Sequence, residues 1–264
     1  MTDLQNEGSS ISRKSKAFND LIDRCSTAHG GSRIILALDL PHRKSTNGLL
    51  KDSMAILDKI SDLLAAVKIN FHLIIPLSLD DLSELNARIH SARLCSIADI
   101  KLNDMDNTNE IATDYLWDAG FDAVIVNPFV GFKGGLDTVY KRAQQLDKGV
   151  ISLAYMSHPG ADESYGIETS VGASMFEIMI DRANLWDSDG VILGTPRIDK
   201  IQDARSILRK SIKIISPGSG SQGGDPTSAL KAGADYLIFG RSLVNAEDPR
   251  EATLRISEAL KSQG

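Results

Sequence analysis

The residues best placed for chemistry are Asp99, Lys101 and Asp104, in the spacing Asp-x-Lys-x-x-Asp. An apolar run, Arg93-Leu94-Cys95-Ser96-Ile97-Ala98, leads into them. On an extended strand, residues two apart project to the same side, so Asp99 and Lys101 would face one way, about 7 Å apart along the backbone. Asp104 falls where the strand has ended and a helix is about to start. It could cap that helix, as could Asp106 or Asn107, and Asp-x-Lys alone could be a surface ion pair. A lysine with carboxylates on either side can otherwise do two things. Opposite charge favours its ammonium form, and a fixed ammonium both stabilises developing negative charge and donates a proton.

Such a group needs a scaffold that brings strand ends together. Short apolar runs alternate here with stretches of helical periodicity. The strands are expected at 33–38, 64–67, 93–98, 123–126, 149–154, 190–193, 212–215 and 236–239. Helices are expected at 49–60, 79–90, 107–119, 135–146, 171–184, 198–208, 226–232 and 249–260. The repeat of about 30 residues is that of a βα unit. Continuously apolar strands suit a parallel sheet buried on both faces. Eight units predict a (β/α)₈ barrel. An open doubly wound sheet is the alternative, but no G-x-G-x-x-G follows the first strand. Residues 1–32 are expected to form a polar segment and a helix from about Lys14 to Ala28 that could cover the barrel's bottom, and residues 33–264 a (β/α)₈ barrel expected to be the catalytic domain.

Barrel enzymes carry their chemistry at the C-terminal ends of the strands. Asp39, Lys68, Asp99, Lys101, Ser157, the Pro217 loop and Arg241 all fall there. The stretch Ser216-Pro217-Gly218-Ser219-Gly220-Ser221-Gln222-Gly223-Gly224-Asp225 follows the seventh strand, and Gly240-Arg241-Ser242 follows the eighth. Glycines let backbone N–H groups approach an anion. A loop after strand seven with a helix start after strand eight is the common phosphate site of this fold, and Arg241 can add a forked contact.

Composition narrows the class. The 264 residues carry a net charge of −6, which argues against a general nucleic-acid binder. There is no run of about 18 apolar residues for a membrane span and no apolar signal core at the N-terminus. The two cysteines, Cys25 and Cys95, read as reduced thiols. The five histidines are scattered without metal-ligand spacing. A cytoplasmic protein is the expectation. Trp117 and Trp186, on expected helices, read as packing residues.

Taken together, Leu38-Asp39, Val67-Lys68, Asp99/Lys101/Asp104, Ser157-His158-Pro159-Gly160, the Pro217–Asp225 loop and Gly240-Arg241-Ser242 resemble the orotidine 5′-monophosphate decarboxylases of the compact archaeal kind. The resemblance runs from about Arg33 to the C-terminus. Asn70-Phe71 departs from the glycine-containing segment expected there, and Ser219 stands where an apolar residue is expected. The resemblance implies a reaction without metal or organic cofactor, in which Lys101 stabilises and then protonates the carbanion left by departing carbon dioxide. Asp99 would lie beside the departing carboxylate, with Lys68 and Asp104 completing an alternating charge network. Asp39 and Lys68 would bind ribose hydroxyls, and Ser157 the pyrimidine edge. Gln222 would bridge phosphate and ring. Pro217, Gly218, Ser219, Gly220 and Gly223 would form the phosphate loop, with Gly240 and Arg241 holding phosphate. Asp104 and Thr108 would serve the neighbouring subunit's site, which implies a homodimer. Two other readings share these motifs. One is a magnesium-dependent decarboxylase or aldolase acting on a sugar phosphate, against which the long Gln222-Gly223-Gly224 loop argues. The other is a barrel that binds a phosphate ligand without catalysis.

Overall fold

Eight aliphatic segments form parallel strands that close on one another in sequence order. They are β1 (Ile34–Leu38), β2 (Ala66–Asn70), β3 (Cys95–Leu102), β4 (Ala123–Val126), β5 (Gly149–Tyr155), β6 (Gly190–Leu193), β7 (Lys213–Pro217) and β8 (Tyr236–Phe239). β1 pairs with both β2 and β8, so the sheet is a closed barrel and the open alternative falls away. The structure is a computed structural model that describes residues 16–42, 46–218 and 223–262.

Helices alternate with the strands on the outside. They are α1 (Ala17–Ala28), α2 (Thr46–Ile60), α3 (Phe71–Ile74), α4 (Leu79–Ser91), α5 (Asp106–Asp118), α6 (Asp137–Gln145), α7 (Asp162–Tyr165), α8 (Met175–Leu185), α9 (Ile198–Ile207), α10 (Pro226–Lys231), α11 (Arg241–Val244) and α12 (Pro249–Lys261). β1, β4, β5, β6 and β8 are buried along their whole length, because one side chain in two faces the helices and the next the barrel interior. At the foot of the barrel, Asp122, Asp189 and Asp235 each stand one residue before an even-numbered strand. They accept the backbone N–H of Ser96, Val150 and Ile214 on the preceding odd strand, at 2.9, 2.9 and 2.8 Å.

α1 closes that foot, as its periodicity predicts. Phe18, Ile22 and Cys25, at i, i+4 and i+7, are buried against the strand starts. Phe18 lies where a side chain on Gly149 would project: a Cβ there would stand 2.5 Å from the ring. The Asn19 amide donates to the carbonyls of Asp189 and Ser211 at 3.0 and 2.7 Å. The Tyr236 hydroxyl donates to Asp23 at 2.7 Å. Both cysteines are buried free thiols. Trp117 is buried, and Trp186 packs on Phe132 with ring centres 5.3 Å apart.

Several boundaries differ from the expectation. β2, β3 and β7 run two to four residues further than their apolar runs, since charged and polar residues at a barrel's mouth continue the ladder. α8 starts at Met175 rather than Val171. Its start is set by a capping box in which Ser174 accepts from Glu177 N–H and the Glu177 carboxylate accepts from Ser174 N–H.

Candidate active site

The mouth of the barrel has two unlike walls. Inward positions on or just past the first three strands are Ala37 and Asp39, Lys68 and Asn70, Asp99 and Lys101. Those of the opposite strands are Ile125, Leu153, Ile192 and Ile238, with Met156 just above. Between them lies a cleft of about 850 Å³, part of it open to solvent. One wall is ionic and the other aliphatic, a combination that orients a flat, partly polar ligand.

The ionic wall follows from register. Lys68 is opposite Ile97 and Asn70 opposite Asp99 in the β2–β3 ladder. Period-two alternation sends Lys68, Asn70 and Asp99 inward while Val67 and Ile69 pack outward. Lys68 Nζ donates to Asp99 Oδ2 at 2.6 Å and also to Asn70 Oδ1. Lys101 Nζ donates to the other carboxylate oxygen, Asp99 Oδ1, at 2.7 Å. The Lys68 and Asp99 side chains are 6% and 10% exposed, whereas Lys101 is 38% exposed and reaches into the cleft. Burial opposes the charge on Asp99, yet the two ammonium groups hold its carboxyl below the usual carboxylate range. Burial also lowers Lys68 from the ordinary lysine value, with Asp99 pulling it back.

Lys101 does not arrive by simple alternation. Its φ is +46°, in the left-handed region that L side chains avoid at roughly 1–2 kcal/mol. Between Ala98 and Leu102 the β3–β4 register slips: four residues advance on β3 against two on β4, from Val124 to Val126. This bulge re-aims the lysine over Asp99, and bulges beside active sites commonly do so. The strain is held by the surrounding ladder, since Asn127 N–H donates to Leu102 carbonyl at 2.9 Å.

Asp39 continues the ionic wall. Its Oδ1 accepts from Asn70 Nδ2 at 3.2 Å and lies 3.6 Å from His72 Nε2, and its Oδ2 lies 3.8 Å from Arg241 Nε. Charged and polar groups thus run unbroken from Arg241 through Asp39, Asn70, Lys68 and Asp99 to Lys101. Asn70, which in the sequence stands out only as a departure from the expected glycine-containing segment, is a member of this wall. Its spacing of two from Lys68 was the available signal.

Ser157 and His158 line the rim after β5. They lie close against the β6 loop, where a Cβ on Gly194 would stand 2.7 Å from Ser157 Cα. Pro217, Gly218, Gly240 and Arg241 also line the cleft. Gly218 has φ +98°, a backbone state open to glycine. Thr195 N–H and Oγ1 both donate to Pro217 carbonyl, at 2.7 and 2.6 Å, fixing the point where the loop departs. Gly224 N–H returns to Gly218 carbonyl at 3.4 Å, so the described ends of the loop meet. Ser219, Gly220 and Gln222 lie outside the described residues. Gly223 is described but does not line the cleft. The helix expected after β8 is α11, opened by Arg241.

Two expected site residues do not reach the cleft of the chain that carries them. Asp104 is exposed, and its Oδ1 accepts from Met105 N–H at 2.7 Å. Thr108 is exposed on the first turn of α5. The N-cap of α5 is Met105, which makes no side-chain cap, so the alternative in which Asp104, Asp106 or Asn107 caps the helix does not hold. Buried Asn109 fastens the turn, donating to the carbonyls of Asp104 and Gly135 at 2.5 and 2.8 Å. Among the described residues no group of three His, Cys, Asp or Glu is placed to hold a metal ion. No helix among them is long and apolar enough to cross a membrane.

Residues 32–256 match the family described as orotidine 5′-phosphate decarboxylase / HUMPS. Over 228 residues the chain is 40% identical to the orotidine 5′-phosphate decarboxylase of Pyrococcus furiosus, covering 86% of this chain and 97% of that one. It is 33% identical over 230 residues to the enzyme of the same name from Methanosarcina mazei, covering 87% and 96%. Among solved structures, orotidine 5′-monophosphate decarboxylase from Sulfolobus solfataricus aligns with a TM-score of 0.73 at 27% identity, over 88% of this chain and 99% of that one. The Pyrococcus horikoshii enzyme aligns with a TM-score of 0.69 at 34% identity, over 86% and 99%.

Proposed function

This chain belongs to the orotidine 5′-phosphate decarboxylase / HUMPS family, and on that premise we propose that it is a carboxy-lyase converting orotidine 5′-monophosphate to UMP and carbon dioxide, a step of pyrimidine biosynthesis. The observation that carries the reading is the contact of Lys68 and Lys101 with the two oxygens of Asp99, at 2.6 and 2.7 Å, in the mouth of the barrel.

The chemistry follows from that array. The bond from the pyrimidine ring to its carboxylate breaks, carbon dioxide leaves, and the electron pair stays on the ring carbon. Lys101 supplies positive charge there before the pair forms. It then gives that carbon a proton, which solvent restores. Asp99 orients both lysines and stands beside the departing carboxylate. Asp39 and Lys68 take the ribose hydroxyls, and Ser157 the ring edge. The aliphatic wall of Ile125, Leu153, Ile192 and Ile238 packs the ring face. Gly218, Gly240 and Arg241 hold phosphate, with Pro217, Ser219, Gly220, Gln222 and Gly223 completing the loop over phosphate and ring. Binding energy from phosphate and ribose, distant from the breaking bond, aligns the ring for reaction.

The enzyme works as a homodimer in the cytoplasm. Asp104 and Thr108 are exposed on the C-terminal side of β3, beside exposed apolar Met105, Ile111 and Tyr115. Thr108, Ile111 and Tyr115, at i, i+3 and i+7, share one face of α5. Such a face supports burial against a second copy, which brings Asp104 to the partner's charge array. Free buried thiols support a reducing compartment.

The test is loss of orotidine 5′-monophosphate absorbance with purified protein, with and without a chelator. Turnover that survives chelation is expected. Turnover only with a divalent cation, on a sugar phosphate, transfers the chain to the other branch of its family. Tight nucleotide binding without turnover makes it a binding protein.

A further inference from the structure

Asn70 has a choice of two roles and takes the less usual one. It ends β2 and stands at the N-cap of α3, where asparagine ordinarily accepts a backbone N–H of the first turn. Its side chain makes no such cap. It turns into the cleft, accepting from Lys68 Nζ through Oδ1 and donating to Asp39 Oδ1 through Nδ2 at 3.2 Å.

The two neighbours dictate the residue type. An ammonium only donates and a carboxylate only accepts. The group between them must accept on one side and donate on the other, as a primary amide does. The partners also fix the amide's sense: flipped, it would set NH₂ against the ammonium and C=O against the carboxylate. An aspartate at this position would face Asp39 with like charge. A residue without a polar side chain would leave both neighbours short of a partner in the cleft wall.

We propose that Asn70 is a positioning residue that locks Asp39 and Lys68 at the separation a ribose diol requires, and so sets how strongly the site reads the ribose hydroxyls. The inference rests on the decarboxylase reading, which assigns those hydroxyls to Asp39 and Lys68. Of the three N–H donors on Lys68, Asp99 takes one and Asn70 a second, which leaves the third for the ligand. Of the Asp39 oxygens, Oδ1 is engaged by Asn70, while Oδ2 stands 3.8 Å from Arg241, beyond hydrogen-bond reach. Among the described residues, one Lys68 N–H and the Asp39 oxygen Oδ2 therefore remain without a hydrogen bond, on side chains that Asn70 holds in a fixed relation. Two adjacent hydroxyls answer that pair.

The experiment compares wild type, Asn70→Ala and Asn70→Asp in turnover of orotidine 5′-monophosphate and in equilibrium binding of UMP and 2′,3′-dideoxy-UMP, which lacks both hydroxyls. Wild type is expected to bind UMP at least tenfold more tightly than the dideoxy nucleotide. Asn70→Ala should weaken UMP about tenfold or more, the scale of a lost hydrogen bond to a charged group, and change dideoxy-UMP by less than about twofold on the same reasoning. Asn70→Asp, of equal size, should weaken UMP at least as much at pH 8, and it stands as the test if the alanine variant does not fold. Equal weakening of both nucleotides means a structural role only and overturns the proposal. Unchanged UMP binding in either variant, or a wild type indifferent to the hydroxyls, also overturns it. A wild type without turnover defeats the decarboxylase reading instead, and the binding comparison then still reports on Asn70.

Discussion

Asp99→Asn is the most informative single change, because it removes one charge from between two. Asp99 is 10% exposed and accepts from Lys68, itself 6% exposed, and from Lys101. An amide of the same shape leaves the Lys68 ammonium buried with Asn70 and one amide oxygen as neutral acceptors. Removing one partner of a buried pair costs about 3–5 kcal/mol. A ceiling applies, because Lys68 can shed its proton. From the ordinary value of 10.5, doing so at pH 7 costs about 5 kcal/mol and at pH 9.5 about 1.4 kcal/mol, at 1.36 kcal/mol per unit. Burial already lowers Lys68 in the folded protein, and without Asp99 it is lowered further. The folded variant then binds fewer protons than the unfolded chain between that lowered value and 10.5, so its stability rises with pH across this window. The expected loss is about 3 kcal/mol at pH 7, narrowing to about 1 kcal/mol at pH 9.5. Urea denaturation of both proteins at the two pH values measures it. Adding Lys68→Met should recover part of the loss at pH 7, since the buried cation is gone. A loss below about 1 kcal/mol at pH 7, or one that does not shrink with pH, refutes the account of this pair.

Lys101→Ala should cut turnover by roughly 10⁴-fold or more, the combined scale of a lost proton donor and a lost electrostatic stabiliser. Single-turnover kinetics and UMP titration will separate chemistry from binding, and full activity would remove Lys101 from the mechanism. Arg241→Ala should raise KM for the nucleotide about 10- to 100-fold, the scale of a charge-assisted phosphate contact; an unchanged KM breaks the phosphate assignment. His90 Nε2 lies 2.8 Å from Asp122, whose hydrogen bond raises the imidazole above 6.5. A raised folded value means stability that is present below 6.5 and lost as pH rises through the folded value. His90→Ala should therefore destabilise at pH 6 and hardly at all at pH 9. The effect should stay under about 1 kcal/mol because the side chain is 41% exposed. Equal loss at both pH values would assign it to packing.

What could be read from the sequence was set by which physics is local. The strand and helix count needed only periodicity, and Ala123–Val126, Gly190–Leu193 and Tyr236–Phe239 fall at the expected residues. Asp39, Lys68, Asp99, Lys101, Ser157, Gly218 and Arg241 line one cleft because a closed parallel barrel brings all strand ends to one face. The aliphatic wall was not legible. Ile125, Leu153, Ile192 and Ile238 sit in strands apolar on both faces, so nothing in the sequence marks which residue looks inward. Asn70 showed in the sequence only as a departure from the resemblance, since the barrel register that sets it between Lys68 and Asp39 is not local. The Ser174–Glu177 capping box was written in the sequence, yet apolar spacing drew the helix start to Val171 instead.

The backbone at Lys101 ties these observations together. Regular alternation would carry the ladder straight from Asp99 to Leu102 and pair it evenly with β4. The chain instead spends two extra residues and a left-handed φ of +46° on β3. Every other charged member of the ionic wall is placed at no such expense: Lys68 and Asp99 project inward by ordinary pleat, and Asp39 follows β1 directly. Lys101 is also the more exposed of the two lysines, held at one end by Asp99 and open to the cleft at the other. A lysine serving only to neutralise Asp99 would need neither the bulge nor the exposure, because Lys68 already meets that carboxylate at 2.6 Å. Local strain maintained by surrounding structure marks a position where geometry serves something other than stability. Here it lifts a second ammonium to the rim of the cleft, the position that the proposed decarboxylation requires of it.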